Sequence, residues 1–481
     1  MKISTPLIGR KKEQETLLKV LNSNEPEMVA IIGRRRVGKT FLIRTVYDNR
    51  IDFELTGIQN HTQARQLKNF HTQLKIQFGE QSSPPKKPTD WMDAFWQLIS
   101  ILEKQNKPEK FVIFLDEISW LATPKSGFLE ALGFFWNSWA SKQNIVVVLC
   151  ASAASWMIQK IVYHKGGLHN RITKRIDLQP FTLQETELYL KSRNVASDRY
   201  QILQLYMAMG GIPHYLKEVE AGKSAIQNID ALCFTKGGLL NDEFSKLYPA
   251  LFENSENHIK IVRALAQKWK GMTRAELVIA TQLPDGGGFS NTIEELVSCG
   301  FVSDYFPFGK KKRDVLYRLT DEYSLFYLHF IENQRTQEET IWQHLSQTQL
   351  YKSWTGYAFE SLCLKHLAQL KKALGISGIY AEASSYVHKG NQTEKGIQID
   401  LVLDRKDHTI NLFEMKFYAA QWPINKIEST ELREKIALFK RLTKTQKQIF
   451  LTLVTTFGVK LNEQSIGLID NDLSMDVLFE P

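Results

Sequence analysis

Two glycines, a lysine and a threonine stand at fixed intervals in Gly33-Arg34-Arg35-Arg36-Val37-Gly38-Lys39-Thr40. That spacing is the one that wraps a polyphosphate. The glycines let successive backbone N–H groups turn inward, and a helix beginning at the second one adds partial positive charge. Lys39 is expected to reach the β- and γ-phosphates and Thr40 to ligate Mg²⁺, so ATP and Mg²⁺ are the expected cofactors. A second group ends the apolar run FVIFLDE at 111–117. Asp116 is placed to hold the magnesium shell with Thr40, and Glu117 to orient or deprotonate the attacking water.

A third constellation lies near the C-terminus. Asp400 interrupts the apolar run IQIDLVL at 397–403, and Glu414 and Lys416 interrupt LFEMK at 412–416. Residues two apart on a strand share a face, so Glu414 and Lys416 lie together, and a hairpin would bring Asp400 to them. A buried carboxylate costs several kcal/mol unless it is paired. Two arrangements satisfy it. One is a structural ion pair. The other is a Mg²⁺ or Mn²⁺ site held by Asp400 and Glu414, with Lys416 positioning or deprotonating a water. The sequence GYAFE at 356–360 reads as a helix start that aims Glu360 at the same site.

These groups need elements to hold them. Apolar β-rich runs at 28–33, 111–115 and 145–150 alternate with helical patterns at 41–48 and 91–104, the signature of an α/β parallel sheet. A Pro- and Lys-rich surface loop is expected at 82–89. From 181 to 243 the pattern is helical, broken at Gly210-Gly211-Ile212-Pro213. Helices at 259–269, 274–279 and 292–299 precede a hairpin at 301–320, with Asn291 as a helix N-cap and Gly300 as the stop. Gly309, Lys310, Lys311, Lys312 and Arg313 form the hairpin tip, which suits phosphate contact or a plain charged turn. After a helix, strands at 396–403 and 409–417, a helix at 427–442 and a strand at 448–454 complete the pattern. The expected domains are 1–180, 181–250, 255–335 and 345–481.

The chain has 481 residues, 43% hydrophobic and 23% charged, the balance of a folded multidomain protein. A net charge of +9 favours polyanionic partners such as DNA. No uncharged apolar stretch is long enough to span a membrane, and the N-terminus lacks a secretion signal, so a cytoplasmic location is expected. Cys150, Cys233, Cys299 and Cys363 are scattered singly among apolar neighbours and read as buried thiols.

The phosphate loop with its triple arginine, together with Leu7-Ile8-Gly9-Arg10, resembles the ATPase core of the prokaryotic AAA+/STAND-related P-loop ATPases, the archaeal-type ATPase family. The resemblance implies that Ile8 and Gly9 line the adenine side and that Ser152 is a sensor beside the γ-phosphate. It implies an arginine finger at Arg171, with Arg175 as the competing choice. Pro213, in the glycine-rich break, would pack near the nucleotide in a helical lid. It further implies a winged-helix domain and a C-terminal domain similar to the PD-(D/E)XK restriction-endonuclease fold. Two positions depart from the pattern: Ala151 stands where a glycine is usual, and Ile399 where a proline is usual. The expected function is an ATP-hydrolysing switch, with a homo-oligomer as its expected assembly, coupled to a metal-dependent DNA nuclease in defence or mobile-element biology. The alternative is a nucleotide-gated signalling or scaffold ATPase with a silent nuclease-like domain.

Overall fold

The structure is a computed structural model that describes residues 7–80, 84, 86–105, 107–162, 166–252, 254–310, 314–334, 340–390 and 395–481. The chain divides into two compact units, Met1–Pro180 with Pro249–Glu253, and Phe181–Tyr248 with Asn254–Pro481. Residues 82, 83 and 85 of the expected surface loop, and Lys311, Lys312 and Arg313 of the hairpin tip, lie outside the described residues. Among the described residues no helix is long and apolar enough to cross a membrane.

The first unit is built on β1 (Glu27–Ile32), β2 (Phe53–Thr56), β3 (Phe111–Asp116), β4 (Ile145–Ala151) and β5 (Lys174–Asp177). All pairings are parallel, and the order is β2-β3-β4-β1-β5. β1 and β4 are buried along their whole length, which is why both read as unbroken apolar runs. β2 and β5 sit at the sheet edges, and their sequences, FELT and KRID, carry no such run. The open side of β2 is not left unpaired. The Gln77 side-chain amide accepts from Glu54 N at 2.7 Å and donates to Glu54 O at 2.8 Å, as a neighbouring strand would, and Asn69 Nδ2 donates to Thr56 O at 3.0 Å. Both amides come from helix Gln63–Phe78. Phe70 from this helix, Phe53 from β2 and Trp91 and Phe95 from helix Trp91–Leu102 pack ring against ring over the sheet.

The second unit opens with helices between Leu183–Ser192 and Glu243–Leu247. Capping boxes at Thr182/Glu185 and Ser224/Gln227 fix two of their starts. Next come helices Ser255–Gln267, Arg274–Thr281 and Gly287–Ser298 with β6 (Met272–Thr273), β7 (Val302–Tyr305) and β8 (Leu316–Leu319), an antiparallel sheet ordered β6-β8-β7. Asn291 is not an N-cap: helix Gly287–Ser298 begins a turn earlier, after Gly286. Arg274 braces that start, donating to Ser290 Oγ at 2.9 Å and Gly286 O at 3.2 Å. Gly300, at φ 73°, takes the left-handed position just past the helix end, as expected.

The C-terminal sheet holds β9 (Ala381–His388), β10 (Ile397–Arg405), β11 (Thr409–Lys416), β12 (Gln448–Thr455) and β13 (Asn471–Ser474), ordered β13-β12-β11-β10-β9. β9, β10 and β11 run antiparallel in sequence, whereas helix Lys426–Thr443 crosses over so that β12 pairs parallel with β11. Phe439 of that helix closes a core with Val402, Ile410 and Leu412. Gly356 does not open a helix. It lies midway along Gln349–Lys365, which starts at the Thr348 cap, because Trp354, Ala358 and Phe359 bury one continuous face.

His366, at the end of that helix, pins the first part of the unit to the last. Its Nδ1–H donates to Leu362 O at 2.9 Å, and Nε2 accepts the Leu183 N–H at the start of helix Leu183–Ser192 at 3.1 Å. Burial pushes the imidazole down to about 4. A depressed histidine supports the fold in full above its unfolded value near 6.5, and that support is lost as pH falls toward 4. Melting of the wild type is therefore expected to fall more steeply between pH 6.5 and 4 than melting of His366→Gln, which keeps an acceptor but does not titrate. The difference should reach about 3 kcal/mol. Parallel pH profiles would show that the pin is not titrating.

Candidate functional site

The loop between β1 and helix Lys39–Tyr47 is shaped by two glycines. A Cβ on Gly33 would lie 2.5 Å from Leu178 O, and Gly38 holds φ +94°, so neither position accepts a larger residue without strain. Lys39 is 5% exposed and donates to Gly33 O at 2.7 Å, Arg34 O at 3.1 Å and Ser152 Oγ at 3.1 Å. Arg34 is buried, while Arg35 and Arg36 are half-buried. Val37 is buried, and its carbonyl accepts from Arg10 Nη2 at 3.4 Å, which brings the segment Ile8-Gly9-Arg10 against the loop. Gln14 Nε2 anchors Gly9 through its carbonyl at 2.6 Å.

Thr40 Oγ1 donates to Asp116 Oδ2 at 2.8 Å, so the expected magnesium ligands meet. Burial raises the Asp116 carboxyl above its ordinary range, and the like charge of Glu117 adds to this against the Thr40 hydrogen bond and Lys39. A hydroxyl and a buried carboxylate side by side are hard oxygen donors that suit Mg²⁺. Glu117 follows in the left-handed region at φ 49°, which is uncommon for a residue with a side chain. It is fixed there by Ser152: the Ser152 N–H donates to Oε2 at 3.0 Å and the Ser152 hydroxyl to Oε1. Ser152 thus links Lys39 to Glu117, and the strand order β3-β4-β1 is what brings the three together.

Among the described residues of the first unit, neither Arg171 nor Arg175 is hydrogen-bonded or ion-paired to this network. Arg171 is exposed before β5, its backbone N–H on Leu168 O. Arg175 lies on β5 and pairs with Asp177 at 2.9 Å. Pro213 is the first residue of the short helix Pro213–Leu216 in the second unit.

At the C-terminus the β10–β11 ladder ends at the pair Leu401–Phe413, and Asp400 and Glu414 follow it on their two strands, close enough for their charges to act on one another. The register to β9 shifts between Ile399 and Val402, a bulge that re-aims Asp400. Met415 N–H donates to Asp400 Oδ2 at 3.1 Å. Burial raises the Asp400 carboxyl, and the charges of Glu414 and Glu360 raise it further. Burial would raise Glu414 too, but the ammoniums of Lys416 at 2.8 Å and Lys435 at 2.7 Å outweigh it and hold Glu414 low. Glu360 is close enough to be felt by Asp400, but its Oε1 is bound by Arg318 at 2.6 Å. Among the described residues no three Asp, Glu, His or Cys side chains converge as a metal-holding group. Asp400 and Glu414 are thus two neighbouring carboxylates, the first on a backbone N–H and the second between two lysines.

Two residues of this cluster escaped the sequence reading. Lys435 belongs to helix Lys426–Thr443, whose many charges gave no sign that one turned inward. Arg318 sits in the strand LYRL, where a lone arginine between apolar residues was the available signal.

All four cysteines are buried, and none forms a disulfide among the described residues. Residues 7–219 match the family model described as an ATPase domain predominantly from Archaea. An uncharacterized protein of Methanocaldococcus jannaschii is 21% identical over 421 residues, 85% of this chain and 87% of its own length. Among solved structures, a Walker-type ATPase of Pyrococcus abyssi shares 16% identity at a TM-score of 0.49, covering 67% of this chain and 96% of its own. The ORC2 protein of Aeropyrum pernix shares 17% at a TM-score of 0.42, covering 68% and 95%. Residues 7–219 of this chain are thus similar to an ATPase domain found predominantly in Archaea.

Proposed function

We propose that this chain is an ATP-hydrolysing switch that governs a metal-dependent, DNA-cutting site in its C-terminal sheet. For the ATPase half, the contact between Thr40 and Asp116 carries the reading. Residues 33–40 wrap the phosphates, with Lys39 exchanging loop carbonyls for phosphate oxygens, and Ile8 and Gly9 lie on the adenine side. Thr40 and Asp116 would hold Mg²⁺, which would supply charge neutralisation for the bound polyphosphate. Glu117 activates the attacking water once its carboxylate leaves Ser152, which makes Ser152 a sensor of the site's state. Arg171 is the arginine finger in this scheme, because Arg175 is engaged by Asp177. Pro213 belongs to a lid formed by residues 181–250.

For the second half, the cross-strand pair Asp400–Glu414 with Lys416 carries the reading. A helix, three antiparallel strands, a crossover helix and a parallel strand is the order of a PD-(D/E)XK nuclease core, and a bound Mg²⁺ or Mn²⁺ there supplies a Lewis acid and a more acidic water. Lys416, 43% exposed, stands where it can take a proton or hold a phosphate. Residues 255–335 serve as a winged helix that, with the net charge of +9, favours DNA. One observation favours the scaffold alternative: every charge of the cluster already has a partner, as a purely structural network would.

Lys39→Ala is expected to weaken ATP binding by roughly 100-fold or more, since it removes charge-assisted hydrogen bonds. Glu117→Gln should keep its ATP affinity while hydrolysis drops by at least about 10². Nucleotide titration and phosphate release measure both, and normal turnover in Glu117→Gln would remove its assigned role.

Lys416 separates the nuclease from the scaffold. Lys435 still holds Glu414 when Lys416 is lost, and a half-exposed ion pair contributes about 1 kcal/mol or less. Lys416→Ala and Asp400→Asn should therefore melt close to the wild type yet abolish plasmid nicking in Mn²⁺. A wild type that never nicks, in any nucleotide state, leaves the scaffold reading standing.

A further inference from the structure

Glu360 projects from helix Gln349–Lys365 into a cavity of about 370 Å³ whose walls also carry Asp400, Arg318, Lys270 and Ser385. Arg318 does not belong to the C-terminal sheet. It comes from β8 of the small sheet, is 6% exposed, and donates to Glu360 Oε1 at 2.6 Å and Tyr357 O at 3.3 Å. The small sheet reaches the same place a second time. Phe308 N–H donates to Ser385 O at 2.8 Å and Pro307 bridges to Ser385. Ser385 lies on β9 between Ser384, which pairs with Val402, and Tyr386, which pairs with Ile399, so it faces the bulge that carries Asp400.

Arg318 has two effects on a cation site at Asp400 and Glu414. Its guanidinium neutralises Glu360, the carboxylate that would make a third ligand. It also places a fixed positive charge on the wall of the cavity that Asp400 lines, and because Arg318 is buried its repulsion of a cation there is weakly screened. A structural ion pair would fit anywhere along the helix, but this one sits beside the bulge.

We infer that Arg318 is a latch on the C-terminal metal site: while β8 is seated it withholds Glu360, and its release completes a three-carboxylate cation site. Arg318 is thus a positioning residue delivered by the small sheet, and displacement of β8 is what would arm the site. The inference rests on the reading of Asp400 and Glu414 as a metal pair.

Mn²⁺ binding to the full chain without nucleotide, followed by loss of the free-ion EPR signal, tests it. Arg318→Met should bind Mn²⁺ at least about tenfold tighter than the wild type. Arg318→Gln, which keeps a hydrogen bond to Glu360 and so protects the fold, should shift the same way. The gain should vanish in Arg318→Met/Glu360→Gln. Thermal melts identify the folded variants, and Arg318→Gln decides if Arg318→Met does not fold. Unchanged or weaker binding in a folded Arg318 variant overturns the latch, as does a gain that survives in the double variant. Absence of Mn²⁺ binding in every protein, with Asp400→Asn no different from wild type, overturns the metal pair itself and the latch with it.

Discussion

Lys39 is 5% exposed, and burying its amine there requires the three oxygens that accept its hydrogen bonds, Gly33 O, Arg34 O and Ser152 Oγ. The rest of the ATPase domain follows from that requirement. Ser152 can reach Lys39 only if β4 lies beside β1, and its hydroxyl then passes the connection on to Glu117 at the end of β3. Thr40, the next residue along, ties the same helix start to Asp116. Loop, strand ends and both acidic residues form one hydrogen-bonded network, so a ligand that takes Lys39 from its loop carbonyls disturbs Glu117 two bonds away.

The same constraint organises the C-terminal sheet with different partners. Glu414 sits between two lysines, Glu360 on an arginine, and Asp400 on a backbone N–H at a bulge, with burial holding its carboxyl high. Asp400 is the least compensated of the three, which is where a cation would contribute most. Immediately after Lys416, Phe417 stacks on Tyr200 at 5.5 Å, and Arg199 pairs with Asp476 at 2.9 Å. Helix Arg199–Met209 is therefore packed directly beside the C-terminal site, a route by which movement in residues 181–250 would be felt there.

The phosphate loop, the acidic end of β3 and the central strands were legible because each depends on local spacing or on an unbroken apolar run. β2 and β5 were not, since edge strands need no such run and β2 is completed by Gln77 and Asn69 from a helix. The start of helix Gly287–Ser298 was misplaced because Arg274, thirteen residues before its first residue, does the bracing that Asn291 was expected to do. Glu414 and Lys416 could be grouped from strand periodicity, and Asp400 joined them through the expected hairpin. Lys435 and Arg318 could not, because their roles arise from crossings between elements that leave no periodic trace. Nor could the sequence show that Glu360 is held by a residue of another sheet.

Control of the C-terminal site by the nucleotide state of the ATPase domain is the step on which the proposed function turns. It is tested most directly by the rate at which Glu117→Gln nicks supercoiled plasmid in Mn²⁺, loaded with ATP in one reaction and ADP in the other. That variant should hold each nucleotide long enough to separate the two states. Gating predicts rates that differ by at least about tenfold between them. Equal rates, or no nicking in either state, would contradict it.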